Sequence, residues 1–308
     1  MARYLIAAAA LGGVSAVLYL SVLATPAGLI LSGFAQAPLF VAGLTLGLAG
    51  AIAASAAAAL LAMMALGLAG GLAYALVNTL PVLVLVQRAL LSRRAADGGV
   101  EWYTAGLLTT WLTGLGLLAL AALLLIYGAG EGGIGDAVMR SFEAVLPAFG
   151  PNQEAVRQQF EVVAPILPGI AVASWLALTA VNGALGQAIA SRSGRALRPA
   201  PDIAETELPH LLAGALAVAA ALAYWASGAL GIVAANAAVV LSLPFLILGL
   251  AVIHAAAKGI RGRRLLLTAV YTMIALVGLP ALAIVGLGLI EQGFGLKRRF
   301  AAPRPGGA

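Results

Sequence analysis

The chain has 308 residues, of which 63% are apolar and 9% charged, with a mean hydropathy of +1.06 and a net charge of +6. A soluble domain is about one-quarter charged, so a water-soluble globule is excluded, and a disordered chain is excluded for the same reason. Absence of cysteine removes disulfides, thiolate metal sites and a cysteine nucleophile. The class is all-α: a polytopic transmembrane helix bundle. The basic excess sits in short loops between apolar runs, where it reads as cytoplasmic loops in contact with anionic lipid headgroups rather than as a nucleic-acid surface.

A spanning helix needs about 20 apolar residues, and no ionisable side chain other than tyrosine separates Arg3 from Arg88. That stretch holds four helices with uncharged turns, placed at 4–24, 26–48, 49–68 and 70–91 by glycine and proline. The first is longer than the apolar part of a signal peptide and reads as a retained helix. Its pairs Ala9 with Gly13 and Gly12 with Ala16 have the small-xxx-small spacing of close helix contacts. Further spans fall at 103–127, 162–190, 209–228 and 230–257. The segment 265–290 is broken at Gly278-Leu279-Pro280. About eight crossings follow, within a range of seven to nine, in a single membrane domain covering 1–308.

Lys and Arg set the orientation. Arg88, Arg93 and Arg94 mark the loop 88–101 as cytoplasmic, and Arg192, Arg195 and Arg198 mark 191–208. The tail 291–308 carries Lys297, Arg298, Arg299 and Arg304. The acidic loop 128–161 is then external and the N-terminus cytoplasmic. A single crossing at 265–290 would put the basic tail outside; a re-entrant segment returns it to the cytoplasm, provided that protein covers its irregular backbone.

The external loop repeats Ile134, Val138, Phe142 and Val145 at helical spacing, and a second short helix begins after Phe149-Gly150-Pro151, with Arg157 and Glu161 at ion-pair spacing. Two amphipathic helices on the outer surface fit this pattern, either as a lid over a site or packed onto the bundle. On the inner side Asp202 and Glu205 have the spacing of a capping box, and Arg192, Arg195 and Arg198 would share one face if helical.

Neither lysine is followed by Ser or Thr, so the chain has no phosphate-binding loop for ATP. No Asp or Glu falls in the middle of a span, which argues against a carboxylate-coupled pump. No zinc-protease motif is present, no cofactor is implied, and an enzyme is not expected. What remains at mid-depth is neutral. Gln36, Tyr74, Asn78 and Asn236 are the candidate ligand-binding residues, with Asn182, Gln187 and His254 nearer the inner ends of their helices. Each amide can serve instead as glue between helices, worth about 0.6 kcal/mol on average.

Several motifs are familiar in combination. Phe34-Ala35-Gln36-Ala37-Pro38-Leu39 precedes a glycine-rich helix, and Gly99-Val100-Glu101-Trp102-Tyr103 opens the fifth span. Asn182-Gly183-Ala184-Leu185-Gly186-Gln187 is followed by Arg198-Pro199-Ala200-Pro201-Asp202, and later by Ile253-His254-Ala255. The last span ends in Gly288-Leu289-Ile290-Glu291-Gln292-Gly293-Phe294-Gly295. The whole chain resembles the YybS-like family of predicted bacterial membrane proteins, a domain of unknown function. That family often has Asp where Glu291 stands and another near Gly295, and the chain departs at both. The resemblance implies a bacterial inner membrane and no established activity. More distantly, the layout is similar to the substrate-binding subunits of energy-coupling-factor importers, which bind a small molecule and take ATPase energy from partner subunits. The sequence therefore carries two readings: a small-molecule-binding or transport-related subunit without its own ATPase, or a membrane scaffold or assembly factor with no ligand.

Overall fold

A computed structural model describes residues 2–95, 98–129, 132–202, 206–258 and 260–297. In chain order the helices are α1 (Ala2–Leu20), α2 (Gly28–Ser32), α3 (Gln36–Tyr74) and α4 (Leu80–Ala89). A hairpin of β1 (Ser92–Arg94) and β2 (Val100–Trp102) follows, then α5 (Ala105–Tyr127), α6 (Ile134–Glu143), α7 (Gln153–Val163) and α8 (Leu167–Arg192). The chain continues through α9 (His210–Trp225), α10 (Gly228–Ala256), α11 (Arg263–Val277) and α12 (Pro280–Phe294). Helices dominate because, away from water, the backbone must satisfy its own polar groups. Among the described residues five helical stretches are long and apolar enough to cross a membrane: Ala2–Leu23, Gly28–Ala89, Ala105–Tyr127, Gln153–Arg192 and Gly228–Ala256. His210–Trp225 and Pro280–Phe294 are shorter apolar helices.

The stretch Gly28–Ala89 has 62 residues, about 93 Å if it were straight, roughly three times the hydrocarbon core. It is not straight. Gly47 (φ 79°) and Gly67 (φ 74°) leave the helical region inside α3, a conformation that glycine adopts without steric cost. These breaks lie within two residues of the turns placed from sequence. Gly278 separates α11 from α12, at the break expected there.

Contacts divide the chain into two compact units. Unit 1 comprises residues 1–112 and 176–201, and unit 2 comprises 113–175 and 202–308. In unit 1, α1 packs on α3 through Ala8, Gly12 and Ala16, all buried. A Cβ on Gly12 would lie 2.2 Å from the carbonyl oxygen of Ala54, so this face uses the small-residue spacing. Gly13, on the other face, meets nothing within 4 Å. In unit 2, Leu208, Leu212, Ala219, Leu241, Phe245 and Leu248 form an apolar core between α9 and α10.

Two loops differ from the sequence expectations. Residues 88–101 contain an antiparallel hairpin, in register through Arg93 opposite Glu101 and joined by an ion pair at 2.6 Å. An all-helical description is thus incomplete, because cross-strand pairing of opposite charges needs no hydrophobic pattern. After α8 ends at Arg192, Gly194 takes φ 67°, and Arg198 leaves the helical face of Arg192. It is buried instead, donating from Nη1 to the Ala89 carbonyl at 3.0 Å, with its Cζ 5.9 Å from the Trp102 ring. Burial pushes its guanidinium below the ordinary arginine pKa. Asp202 pairs with Lys258 at 2.9 Å, and Glu205 of the expected capping box lies outside the described residues.

Among its described residues, the loop 128–161 forms the two helices expected of it. Phe142 of α6 stacks on Phe160 of α7 at 3.7 Å, and Arg157 bridges Glu143 and Glu161. The amphipathic faces thus close on each other first. Val145 and Val162 remain exposed.

Candidate functional site: a buried polar cluster

Three of the four polar residues picked from sequence come together in unit 1. The junction between α2 and α3 is where the chain exposes backbone polarity. The carbonyl of Ala35 accepts the hydroxyl of Ser15 from α1, and Ser15 also shares a hydrogen bond with the Tyr74 hydroxyl. The carbonyl of Gly33 accepts Asn182 Nδ2 of α8 at 2.8 Å. Gln36 donates from Nε2 to the carbonyl of Val77 at 3.0 Å.

Val77 lies in a π-helical turn, Ala75–Thr79, that joins α3 to α4. Pro81 stands four residues after Val77 and has no N–H for its carbonyl, so the amide of Gln36 supplies a donor. Asn78 is buried on the same turn.

The cluster is not saturated. Gln36 Oε1, Thr79 Oγ1 and Asn182 Oδ1 are buried without a hydrogen-bond partner. Thr79 was missed from sequence because a threonine in an apolar helix usually bonds its own backbone. Asn182 was placed near an inner helix end, and only the bond to Gly33, 149 residues away, brings it here.

Asn236 belongs to unit 2 and has a different job. Its Oδ1 accepts the Gly169 N–H at 2.6 Å, and its Nδ2 donates to Pro165 and Ile232 carbonyls, both at 2.8 Å. Pro165 O and Gly169 N are natural partners within one helical turn. The amide of Asn236 inserts between them and anchors the start of α8 to α10.

A second polar site in unit 2 was not read from sequence as a site. Glu291, near the end of α12, lies 3.7 Å from Lys297 Nζ, and both side chains are almost buried. Gln292 donates to the Leu208 carbonyl at 3.0 Å and meets His210 Nδ1 at 3.1 Å. Lys297 also donates to the Thr206 carbonyl. These groups line a cavity of 320 Å³. The contact between Lys297 and Thr206 spans 91 residues, and no local spacing signals it.

Long apolar helices, backbone breaks inside them and polar groups buried between them define a polytopic α-helical membrane protein. The chain belongs to the DUF2232 family of predicted membrane proteins, whose model matches residues 13–291. The match carries neither the YybS-like name nor a likeness to energy-coupling-factor subunits. No curated protein and no solved structure matches the chain.

Proposed function

We propose that this protein binds a small molecule within the membrane through the cluster of Ser15, Gln36, Tyr74, Asn78, Thr79 and Asn182. One observation carries the reading: three oxygens of the cluster are buried without partners. Each such group costs about 1–3 kcal/mol, and the bilayer interior offers no water in compensation. All three oxygens can accept, so the ligand brings hydroxyl or amide donors. It is neutral, because the cluster holds no charged side chain. Without a phosphate loop the chain acts as a binding or transport subunit that draws any ATPase energy from partner subunits. Asn236, whose polar atoms are already bonded to backbone, supports the scaffold alternative for unit 2.

Native mass spectrometry of the purified protein tests the reading. The wild type is expected to retain a small neutral molecule, and Gln36→Leu and Asn78→Leu to lose it while still inserting, since both changes raise hydrophobicity. Wild type carrying lipid alone, with both variants complementing a deletion strain, would leave the amides as glue.

In the bacterial inner membrane the arrangement proposed is eight crossings, at 2–23, 28–46, 48–66, 68–89, 105–127, 167–192, 210–225 and 228–256, with the N-terminus cytoplasmic. Arg93, Arg94, Arg192 and Arg195 then face anionic headgroups. The helices α11 and α12 have 15 residues each, about 22 Å; α9, with 16, is hardly better matched to the roughly 30 Å core, but α11 and α12 adjoin each other across the break at Gly278. A re-entrant pair follows, which keeps the basic tail inside. Exposed Tyr224 and Trp225 at the end of α9 suit an interfacial belt. Single cysteines at Gly132 and Gln153 are expected to react with an impermeant thiol reagent in intact cells; protection at both until the membrane is opened would reverse the topology.

A further inference from the structure

We infer that the 320 Å³ cavity of unit 2 is a binding site for the primary ammonium group of a small polar molecule, and that Lys297 occupies it as a tethered stand-in. The ammonium of Lys297 bonds the Thr206 carbonyl and faces Glu291 at 3.7 Å. Its own backbone N–H donates to the other Glu291 oxygen at 2.9 Å. A carboxylate beside a backbone carbonyl is an acceptor set suited to three N–H donors. Phe294 also lines the cavity.

The size falls in the range of about 300–1,000 Å³ usual for small-molecule sites. Lys297 is poised to leave. It lies beyond Gly295, the left-handed cap that ends α12, so withdrawing its side chain leaves the helix intact. Glu291 cannot leave with it, because it sits in the last turn of α12, inside the helix. The acceptor is therefore fixed and the cation replaceable. The residues are distinct from the mid-membrane cluster, and failure of either reading leaves the other standing.

Ethanolamine is the probe, with N-acetylethanolamine as its neutral counterpart, measured by calorimetry on the full chain in detergent. Lys297→Ala is expected to bind ethanolamine about tenfold or more tightly than wild type, since it removes a tethered competitor of roughly millimolar effective concentration. Adding Glu291→Gln to that variant is expected to abolish binding, and N-acetylethanolamine to bind none of the proteins. Equal affinity in wild type and Lys297→Ala, or binding that survives Glu291→Gln, overturns the proposal. If Lys297→Ala does not yield monodisperse protein, tryptic cleavage of wild type decides. Saturating ethanolamine is expected to speed cutting after Lys297 several-fold, with cutting after Arg261 unchanged. No change at Lys297 overturns the proposal equally.

Discussion

Replacing Asn236 by Leu is expected to cost unit 2 more stability than removal of any other single amide. The side chain is fully buried and makes three hydrogen bonds, to Gly169, Pro165 and Ile232. Leu fills a similar volume and makes none. The Gly169 N–H and the Pro165 carbonyl are then left apart without water, at about 1–3 kcal/mol each. Closing the gap by direct pairing requires the start of α8 to shift. That path is obstructed because α8 and α10 already touch: a Cβ on Gly169 would fall 2.8 Å from the Asn236 carbonyl oxygen. Asn236→Asp retains the acceptor for Gly169 and is expected to lose less in mild detergent if the site admits a proton, since a protonated carboxyl can still donate one bond. Thermal unfolding followed by helical circular dichroism gives the comparison. A wild-type midpoint for Asn236→Leu would mean that the three bonds contribute nothing net.

The second large effect is expected where α10 crosses α12. A Cβ on Gly249 would lie 2.0 Å from the Ile284 carbonyl oxygen, and one on Gly288 would lie 2.0 Å from the Phe245 carbonyl oxygen. Both obstacles are backbone, so no rotamer relieves them and the helices must part. Gly249→Ala and Gly288→Ala are each expected to reach or exceed the upper end of the roughly 1–3 kcal/mol usual for overpacking. Gly286→Ala is the matched control on α12. It meets nothing within 4 Å, and a glycine-to-alanine change in a helix is expected to stabilise by up to about 1 kcal/mol. Parting α10 from α12 also loosens the seat of Glu291, so tryptic cutting after Lys297 should quicken in the first two variants and not in the third. Indistinguishable midpoints for Gly249→Ala, Gly288→Ala and Gly286→Ala would refute the close crossing.

The polar cluster was only partly legible. Gln36, Tyr74 and Asn78 are legible because so apolar a chain has few polar side chains inside its long apolar runs. Asn236 passed the same filter and serves a different unit. Depth is a one-dimensional property, and it does not say which helices are neighbours. Ser15 and Thr79 are not legible in the same way, because a hydroxyl can bond a carbonyl of its own helix, as Thr45 does with Val41. Only the packing of α1 on α3 turns Ser15 toward Ala35 and Tyr74.

The sequence by itself determined the class, the helical stretches and their breaks. Apolar runs of this length have no stable solution in a bilayer other than internally bonded helices. Glycine and proline mark where such a helix must stop, as Gly47, Gly67 and the Gly278-Leu279-Pro280 step do. The amphipathic pair α6 and α7 was legible for the same reason, since a 3.6-residue period is a local property. The tertiary structure alone decided which polar atoms were satisfied. Gly33 and Asn182 stand 149 residues apart, and Thr206 and Lys297 stand 91 apart. Their partnerships arise from helix packing in three dimensions, and hydrogen bonding acts over about 3 Å, far too short a range for periodicity along the chain to specify it.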